Sequence, residues 1–352
     1  MIDHLLREDM AMPDGRVMYL YGPWRGGPSW TQHPEPRSES KTHARWHPLR
    51  KEWVIYAAQR QNRTYKPALA ACPLCPGSAD GELPFDDFTL AVFENRFPSM
   101  QPSNHSAPDL STLGLLTRPA KGACEVIVYS SRHEGNIATI PEANRELLVR
   151  VWGDRRQVLL GKPGVSYVMP FENRGEEAGV TLHHPHGQIY GFEDLPPTVD
   201  TMAASFKAGF NLQEMLPCYM DLTIFETDDI ASFVPPFARF PYEVWLTTKR
   251  FHASTDRFSA SEIQDVAEGL RYIVDLYDRF FDRACPYVMI VYLAPREHVT
   301  TFPFHIQFYP LLRAKTRQKF LAGCELGAGT FLVDVLPEEA AAQLRAAGGG
   351  SR

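Results

Sequence analysis

Apolar residues recur three or four apart at Ile263, Val266, Leu270, Ile273, Tyr277 and Phe280, with Ser259 ahead of them and Glu262 three residues further on. That spacing predicts a helix with one apolar face, opened by a reciprocal Ser and Glu cap. A weaker stripe of Leu148, Val151, Trp152 and Leu159 predicts an earlier helix over Pro141 through Leu160. Short apolar runs surround both windows: Glu125-Val-Ile-Val-Tyr129, Tyr167-Val-Met169, Glu243-Val-Trp-Leu-Thr-Thr248 and Tyr287-Val-Met289. Their length and their Val, Ile and Tyr content read as strands.

These elements repeat in order. The run from Glu125 to His133 resembles Glu243 to His252, each a strand pattern closed by a basic residue and a His. A helix, Tyr167-Val-Met169 or Tyr287-Val-Met289, and then His184-Pro-His-Gly-Gln-Ile-Tyr190 or His305-Ile-Gln-Phe-Tyr309 follow. The intervals keep step, 51 residues from His133 to His184 and 53 from His252 to His305. Four matches in one order predict a duplicated strand, helix, strand, strand unit. The predicted fold is α+β, two tandem domains of antiparallel sheet with helices packed on one face. The boundaries expected are residues 1–40 as an extended arm rich in Gly, Pro and Ser, 41–195 as the first domain and 196–352 as the second, linked near Leu195-Pro-Pro197. On this matching Gln307 takes the place of His186, so only the first copy carries the full histidine set.

With 352 residues, 44% of them hydrophobic, the chain can bury a large core. A net charge of -6 without a dense Lys/Arg run argues against a nucleic-acid partner. The longest apolar stretch, near Tyr287 to Pro295, is too short to span a bilayer, and the acidic start has no secretory apolar core. No membrane association is therefore expected, and the cytoplasm is the expected compartment. Six cysteines in this length are too few for a disulfide scaffold.

The chemistry concentrates at Thr181-Leu-His-His-Pro-His-Gly-Gln-Ile-Tyr190, which holds three of the chain's 12 histidines within four positions. Pro185 favours extended backbone, so His184 and His186 project together and His183 projects away. Two adjacent imidazoles suit a metal ligand and a nucleophile. Gly187 is read as a place where a ligand approaches the backbone, and Gln188 as an amide donor for a phosphate oxygen. Upstream, Cys72-Pro-Leu-Cys75 can hold two corners of a tetrahedral zinc site, with His133 and His184 able to supply the others. A redox pair and two buried thiols are the other readings of that spacing.

Together, Cys72-Pro-Leu-Cys75, Phe93-Glu-Asn-Arg-Phe97, His133, Phe171-Glu-Asn173 and His184-Pro-His-Gly-Gln188 resemble the galactose-1-phosphate uridylyltransferase family of the histidine triad superfamily. The resemblance runs from about residue 44 to 340. It implies exchange of a uridylyl group between UDP-glucose and galactose 1-phosphate by double displacement, with His186 as nucleophile and Gln188 holding phosphate oxygens. Asn95 and Asn173 match family positions near nucleotide and phosphate, and Lys319, Phe320 and Glu325 a segment near the hexose; Thr181, Arg60 and Arg63 are read as further donors to the phosphate oxygens, a solvated loop being the other reading of the two arginines. One structural zinc on Cys72, Cys75, His133 and His184, and a homodimer with a shared active site, are implied as well. Imidazole suits the reaction, since its neutral form attacks phosphorus and it then leaves readily.

The sequence also departs from the family. Positions that hold a second metal in some members are Met202, Tyr292, His305 and Gln307 here, so that site is expected to be absent. Cys324 and Phe331 stand where a Tyr and a Gln contact the sugar, and Leu182-His183 replaces Asn-Pro. Three rivals remain at this point: an adenylyl transferase or phosphorylase using the same histidine chemistry on ADP-glucose or a dinucleoside polyphosphate, a metal-dependent hydrolase, and a nucleotide-binding protein without turnover.

Overall fold

The computed structural model describes residues 6–27, 42–62, 66–68, 71–78, 81–102 and 106–349. Eleven antiparallel strands form one continuous sheet. From one edge these are β1 (Arg7–Ala11), β2 (Val17–Arg25), β5 (Asp87–Glu94), β7 (Gly122–Val128), β9 (His186–Phe192) and β8 (Tyr167–Arg174), followed by β13 (Tyr287–Tyr292), β14 (His305–Pro310), β12 (Val244–Thr248), β11 (Ile230–Phe233) and β10 (Thr223–Glu226). A separate three-stranded sheet places β3 (His43–His47) between β4 (Glu52–Tyr56) and β6 (Thr117–Pro119).

The duplication is visible in the strand registers. Val128 lies opposite His186, and Thr247 opposite His305, so both members of the pair recur 119 residues later. Phe171 of β8 pairs with Ile290 of β13, its own counterpart at that spacing, which puts a pseudo-twofold axis between these strands. The match read from sequence was therefore out of step: His305, not Gln307, is the counterpart of His186, and Gln307 matches Gln188. The clustered histidines drew the sequence match to the wrong one. The halves are also fused rather than strung together, because the β8 and β13 pairing makes their sheets one.

Helices α1 (Glu142–Leu160) and α4 (Ala260–Phe280) pack on one face of this sheet. The expected stripes face inward, Leu148, Val151, Trp152 and Leu159 from α1 and Ile263, Val266, Leu270, Ile273 and Tyr277 from α4. They meet Ile127, Val168, Ile189, Leu246, Val291 and Ile306 in the main core. Ser259 and Glu262 form the reciprocal cap that their spacing predicted. Of the remaining helices, α3 (Leu212–Met215) is a single turn, and α5 (Pro337–Ala347) lays Ala340, Ala341 and Leu344 against the main core.

Two features were not expected. Helix α2 (Pro197–Lys207), opened by Pro197 where a linker was anticipated, covers the opposite face over the second half, with Val199, Ala203 and Phe206 against Phe233, Trp245 and Tyr292. Residues 7–25 are not an extended arm but the edge hairpin β1–β2, with Met18 to Tyr21 all buried. A strand buried on both faces shows no alternation, which hid it among the Gly and Pro residues nearby. Among the described residues, no helix is long and apolar enough to cross a membrane.

Candidate active site

Strand β9 alternates strictly: Gly187, Ile189 and Gly191 are buried on the helix side, and His186, Gln188, Tyr190 and Phe192 are half-exposed on the other. Phe171 of β8 lies opposite Gln188, and Asn173 two residues on shares that open face. His186 sets Nδ1 2.8 Å from the His184 carbonyl oxygen. A carbonyl only accepts, so Nδ1 carries the proton and Nε2 keeps the lone pair. Desolvation lowers the pKa of this imidazole, against the opposing pull of that hydrogen bond, and favours the neutral ring.

Gln188 is oriented by a residue the sequence reading passed over. The Tyr190 hydroxyl donates to Gln188 Oε1 at 3.2 Å, which engages the carbonyl end of the amide and leaves its NH2 as the free donor. Arg60, from the short 3-10 turn Ala58–Asn62, lies 3.5 Å from that hydroxyl and donates to the Phe97 carbonyl at 3.0 Å. Tyr190 stands two and four residues beyond Gln188 and His186, so strand alternation alone could have placed it on their face.

Asn95 follows β5 and accepts the Phe97 N–H on Oδ1 at 2.8 Å, which shapes the turn that also supplies the Arg60 acceptor. Thr181 is half-buried, and its carbonyl accepts from the Lys66 N–H at 2.9 Å. Arg63 lies outside the described residues. Gly187 does not admit a ligand as expected. A Cβ there would strike the Tyr129 hydroxyl and lie 2.9 Å from the Phe171 carbonyl oxygen, so the glycine serves packing on the closed face.

Behind this strand, ligand atoms of Cys72, Cys75, His133 and His184 all lie within 4.8 Å of one another. Cys75 Sγ is 3.1 Å from His133 Nδ1 and 3.5 Å from His184 Nδ1. Four ligands at zinc distances from one ion would be separated by roughly 3.3–3.8 Å, so this cluster fits a closed tetrahedral site. His184 Nε2 donates to the Ser130 carbonyl at 2.8 Å, leaving Nδ1 unprotonated toward the cluster. Desolvation lowers the His184 pKa to about 4, and burial with the neighbouring Cys72 pushes the Cys75 thiol up to about 11. A neutral His184 imidazole and a Cys75 thiol that needs a cation to release its proton, set beside Cys72 and His133, fit the donor set of a zinc-type ion.

His183 points away, exposed, 3.9 Å from Glu176, so the three histidines do not converge on an open catalytic metal. In the second half, His305 repeats the geometry of His186, with Nδ1 2.9 Å from the Pro303 carbonyl oxygen, but is fully buried between Trp245 and Tyr292. Met202 and Tyr292 belong to the same apolar cluster. Lys319 and Glu325 form an ion pair at 2.7 Å, both side chains less than a tenth exposed, while Phe320 is 65% exposed. Hydrogen bonds chiefly from Lys319 hold the Glu325 carboxyl down to about 2. Among the described residues, neither of these two has a hydrogen bond or ion pair with His186 or Gln188.

Residues 32–196 match the galactose-1-phosphate uridyl transferase N-terminal domain family, and residues 214–348 match its C-terminal domain family. A galactose-1-phosphate uridylyltransferase of Thermotoga maritima is 36% identical over 311 residues, covering 86% of this chain and 97% of that protein. The Saccharomyces cerevisiae enzyme is 29% identical, covering 87% of this chain and 94% of its own. A solved uridylyltransferase superposes with a TM-score of 0.77 at 26% identity, covering 87% of this chain and 98% of the other. An ADP-glucose phosphorylase from Arabidopsis thaliana shares the fold, with a TM-score of 0.66 at 21% identity.

Proposed function

The chain belongs to the galactose-1-phosphate uridylyltransferase family, and from that premise we propose that it passes UMP from UDP-glucose to galactose 1-phosphate through His186. The reaction is UDP-glucose plus galactose 1-phosphate giving glucose 1-phosphate plus UDP-galactose. The observation that carries the assignment is the His186 Nδ1 contact with the His184 carbonyl, which presents a neutral Nε2 beside the Gln188 amide.

In the first step the Nε2 lone pair forms a bond to the α-phosphorus as the bond to the glucose 1-phosphate oxygen breaks. The proton stays on Nδ1 and is donated in the hydrogen bond to the His184 carbonyl, which stabilises the cationic uridylyl-imidazole. Galactose 1-phosphate then attacks the same phosphorus through a phosphate oxygen, and His186 departs neutral. Little covalent help is needed beyond this, but fixed donors must meet the charge on the phosphate oxygens. The Gln188 NH2 meets it first, with Arg60, Arg63, Thr181, Asn95 and Asn173 on the nucleotide and phosphate. Lys319, Phe320 and Glu325 serve the hexose, with the Lys319–Glu325 pair shaping the loop that projects Phe320.

Cys72, Cys75, His133 and His184 hold one zinc, which supplies rigidity rather than an activated water. His184 joins that cluster to β9 two residues before the nucleophile. The second-half site around His305 holds no metal. We divide the chain into residues 41–195, with nucleophile and cluster, and 196–352, which serves sugar-phosphate binding and a homodimer with a shared active site in the cytoplasm. The relatives named for uridylyl transfer favour this reading over the adenylyl one.

The test is incubation with UDP-glucose labelled in its uridylyl group, followed by alkaline denaturation and peptide mapping, with His186→Gly alongside. Label on His186 with release of glucose 1-phosphate supports the assignment. Label from ADP-glucose alone moves the protein to adenylyl transfer, and no label from any nucleotide ends the covalent mechanism.

A further inference from the structure

Below the nucleophile, on the closed face of the sheet, lies a buried carboxylate that the reaction does not touch. Glu172 of β8 is 5% exposed and accepts one hydrogen bond from the Tyr129 hydroxyl and one from the Tyr287 hydroxyl, each at 2.8 Å. Tyr287 belongs to β13, so this carboxylate joins the two halves beside their pseudo-twofold axis.

Tyr129 engages both neighbours of His186. Its backbone N–H donates to the Pro185 carbonyl at 3.2 Å, and its hydroxyl sits where a side chain on Gly187 would have to go. Its own carbonyl accepts from Asn144 Nδ2 at 2.9 Å. The residues before and after the nucleophile are thus held by one tyrosine, whose ring angle is set by Glu172.

The duplication separates what the fold requires from what the site requires. At the counterpart positions 119 residues later, Tyr129, Glu172 and Gly187 become Thr248, Val291 and Ile306, all fully buried. The same strands therefore close with Val291, Ile306 and the small Thr248, and with no charged group, in the half whose histidine is sealed. A buried carboxylate costs desolvation, and an apolar set of similar volume is usually no worse for stability. The polar set is found only under the histidine that opens to solvent.

We infer that Glu172, with Tyr129 and Tyr287, is a positioning device that fixes His186 in line with the α-phosphorus. The inference rests on His186 being the nucleophile. Displacement of a reacting atom by about 1 Å can cost on the order of 10²-fold in rate while binding contacts elsewhere persist. The test compares Glu172→Gln, and the combined Tyr129→Thr, Glu172→Val, Gly187→Ile set copied from the second half, with the wild type. It reads the pre-steady-state burst of glucose 1-phosphate, KM for UDP-glucose and thermal stability.

The expected result for both variants is a burst slowed on the order of 10²-fold, with KM changed less than about threefold and label still accumulating on His186. A folded swap with wild-type burst rate overturns the inference, as does a loss confined to stability or KM. Should the swap fail to fold, Glu172→Gln decides by the same criteria. Absence of label on His186 in the wild type would instead overturn the nucleophile assignment itself.

Discussion

His186 and His305 stand at the same position of the two halves, each with Nδ1 2.8 or 2.9 Å from the carbonyl oxygen two residues before it, and only His186 reaches solvent. The difference lies in what covers them. Helix α2 and the rings of Phe206, Trp245, Tyr292 and Phe302 close over His305, whereas β9 keeps its face open. One framework thus yields an open imidazole, the proposed nucleophile, and a packing one.

The packing histidine makes stability depend on pH. Burial lowers the His305 pKa to about 4 from an ordinary 6.5, and its Nε2 has no hydrogen-bond partner among the described residues. Above pH 6.5 both states are neutral there and nothing is lost. Between about 6.5 and 4 the unfolded chain takes up a proton that the folded one refuses, so stability falls with pH, by roughly 3 kcal/mol at most. Denaturant titrations from pH 7 to 4 should show that slope in the wild type and a shallower one in His305→Phe. Equal slopes would mean that other groups dominate.

Removing the metal should cost more than any single contact. Cys72, Cys75, His133 and His184 tie three loops together, and Cys72 and Leu74 also pack in a second apolar cluster. The purified chain should carry one zinc by elemental analysis. Stripping it, or replacing Cys75 by Ser, should lower stability by more than about 4 kcal/mol, the range that marks loss of a structural ion. Activity should fall in the same preparations and return on adding zinc. A stripped chain with unchanged melting would remove the structural role.

The open face predicts a ranking. Gln188→Ala removes the proposed donor to the transferring group and should lower kcat by about 10²–10³-fold. Tyr190→Phe keeps the amide but frees its orientation, and should cost about tenfold. Arg60→Ala should fall between them and also raise KM for UDP-glucose. Steady-state kinetics on the three variants checks the order, and a Tyr190→Phe effect as large as that of Gln188→Ala would contradict the orienting role.

Much of this site is legible in sequence because its groups are consecutive or closely spaced. Cys72-Pro-Leu-Cys75 and His184-Pro-His-Gly-Gln188 fix their own geometry through short spacing and strand alternation. The capped α4 stripe is legible for the same local reason. What escapes is long-range. The pairing of Phe171 with Ile290 sets the true repeat spacing, and no local pattern reports it. Strand β2 lacks alternation because Met18 to Tyr21 are covered on both faces. The fit of Gly187 against Tyr129, 58 residues away, exists only once β7 and β9 lie side by side.

That fit gives a prediction of its own. A Cβ on residue 187 meets the Tyr129 hydroxyl, the Phe171 carbonyl oxygen at 2.9 Å and Ile127 Cγ2 at 3.2 Å. Two of those three atoms, the carbonyl and the methyl, are held by the sheet and cannot retreat, so Gly187→Ala should destabilise the chain by about 1–3 kcal/mol through overpacking. Tyr129→Phe deletes the third and opens room for the new methyl. It also leaves Glu172 one hydrogen bond short, at a cost of roughly 1–3 kcal/mol. Because the two changes share one contact, their effects should not add. The double variant should be more stable than the sum of the singles implies, by at least about 0.5 kcal/mol. Chemical denaturation of the four chains measures that coupling. Additivity within error would place the Tyr129 hydroxyl away from Gly187, and the packing under His186 would then need another account.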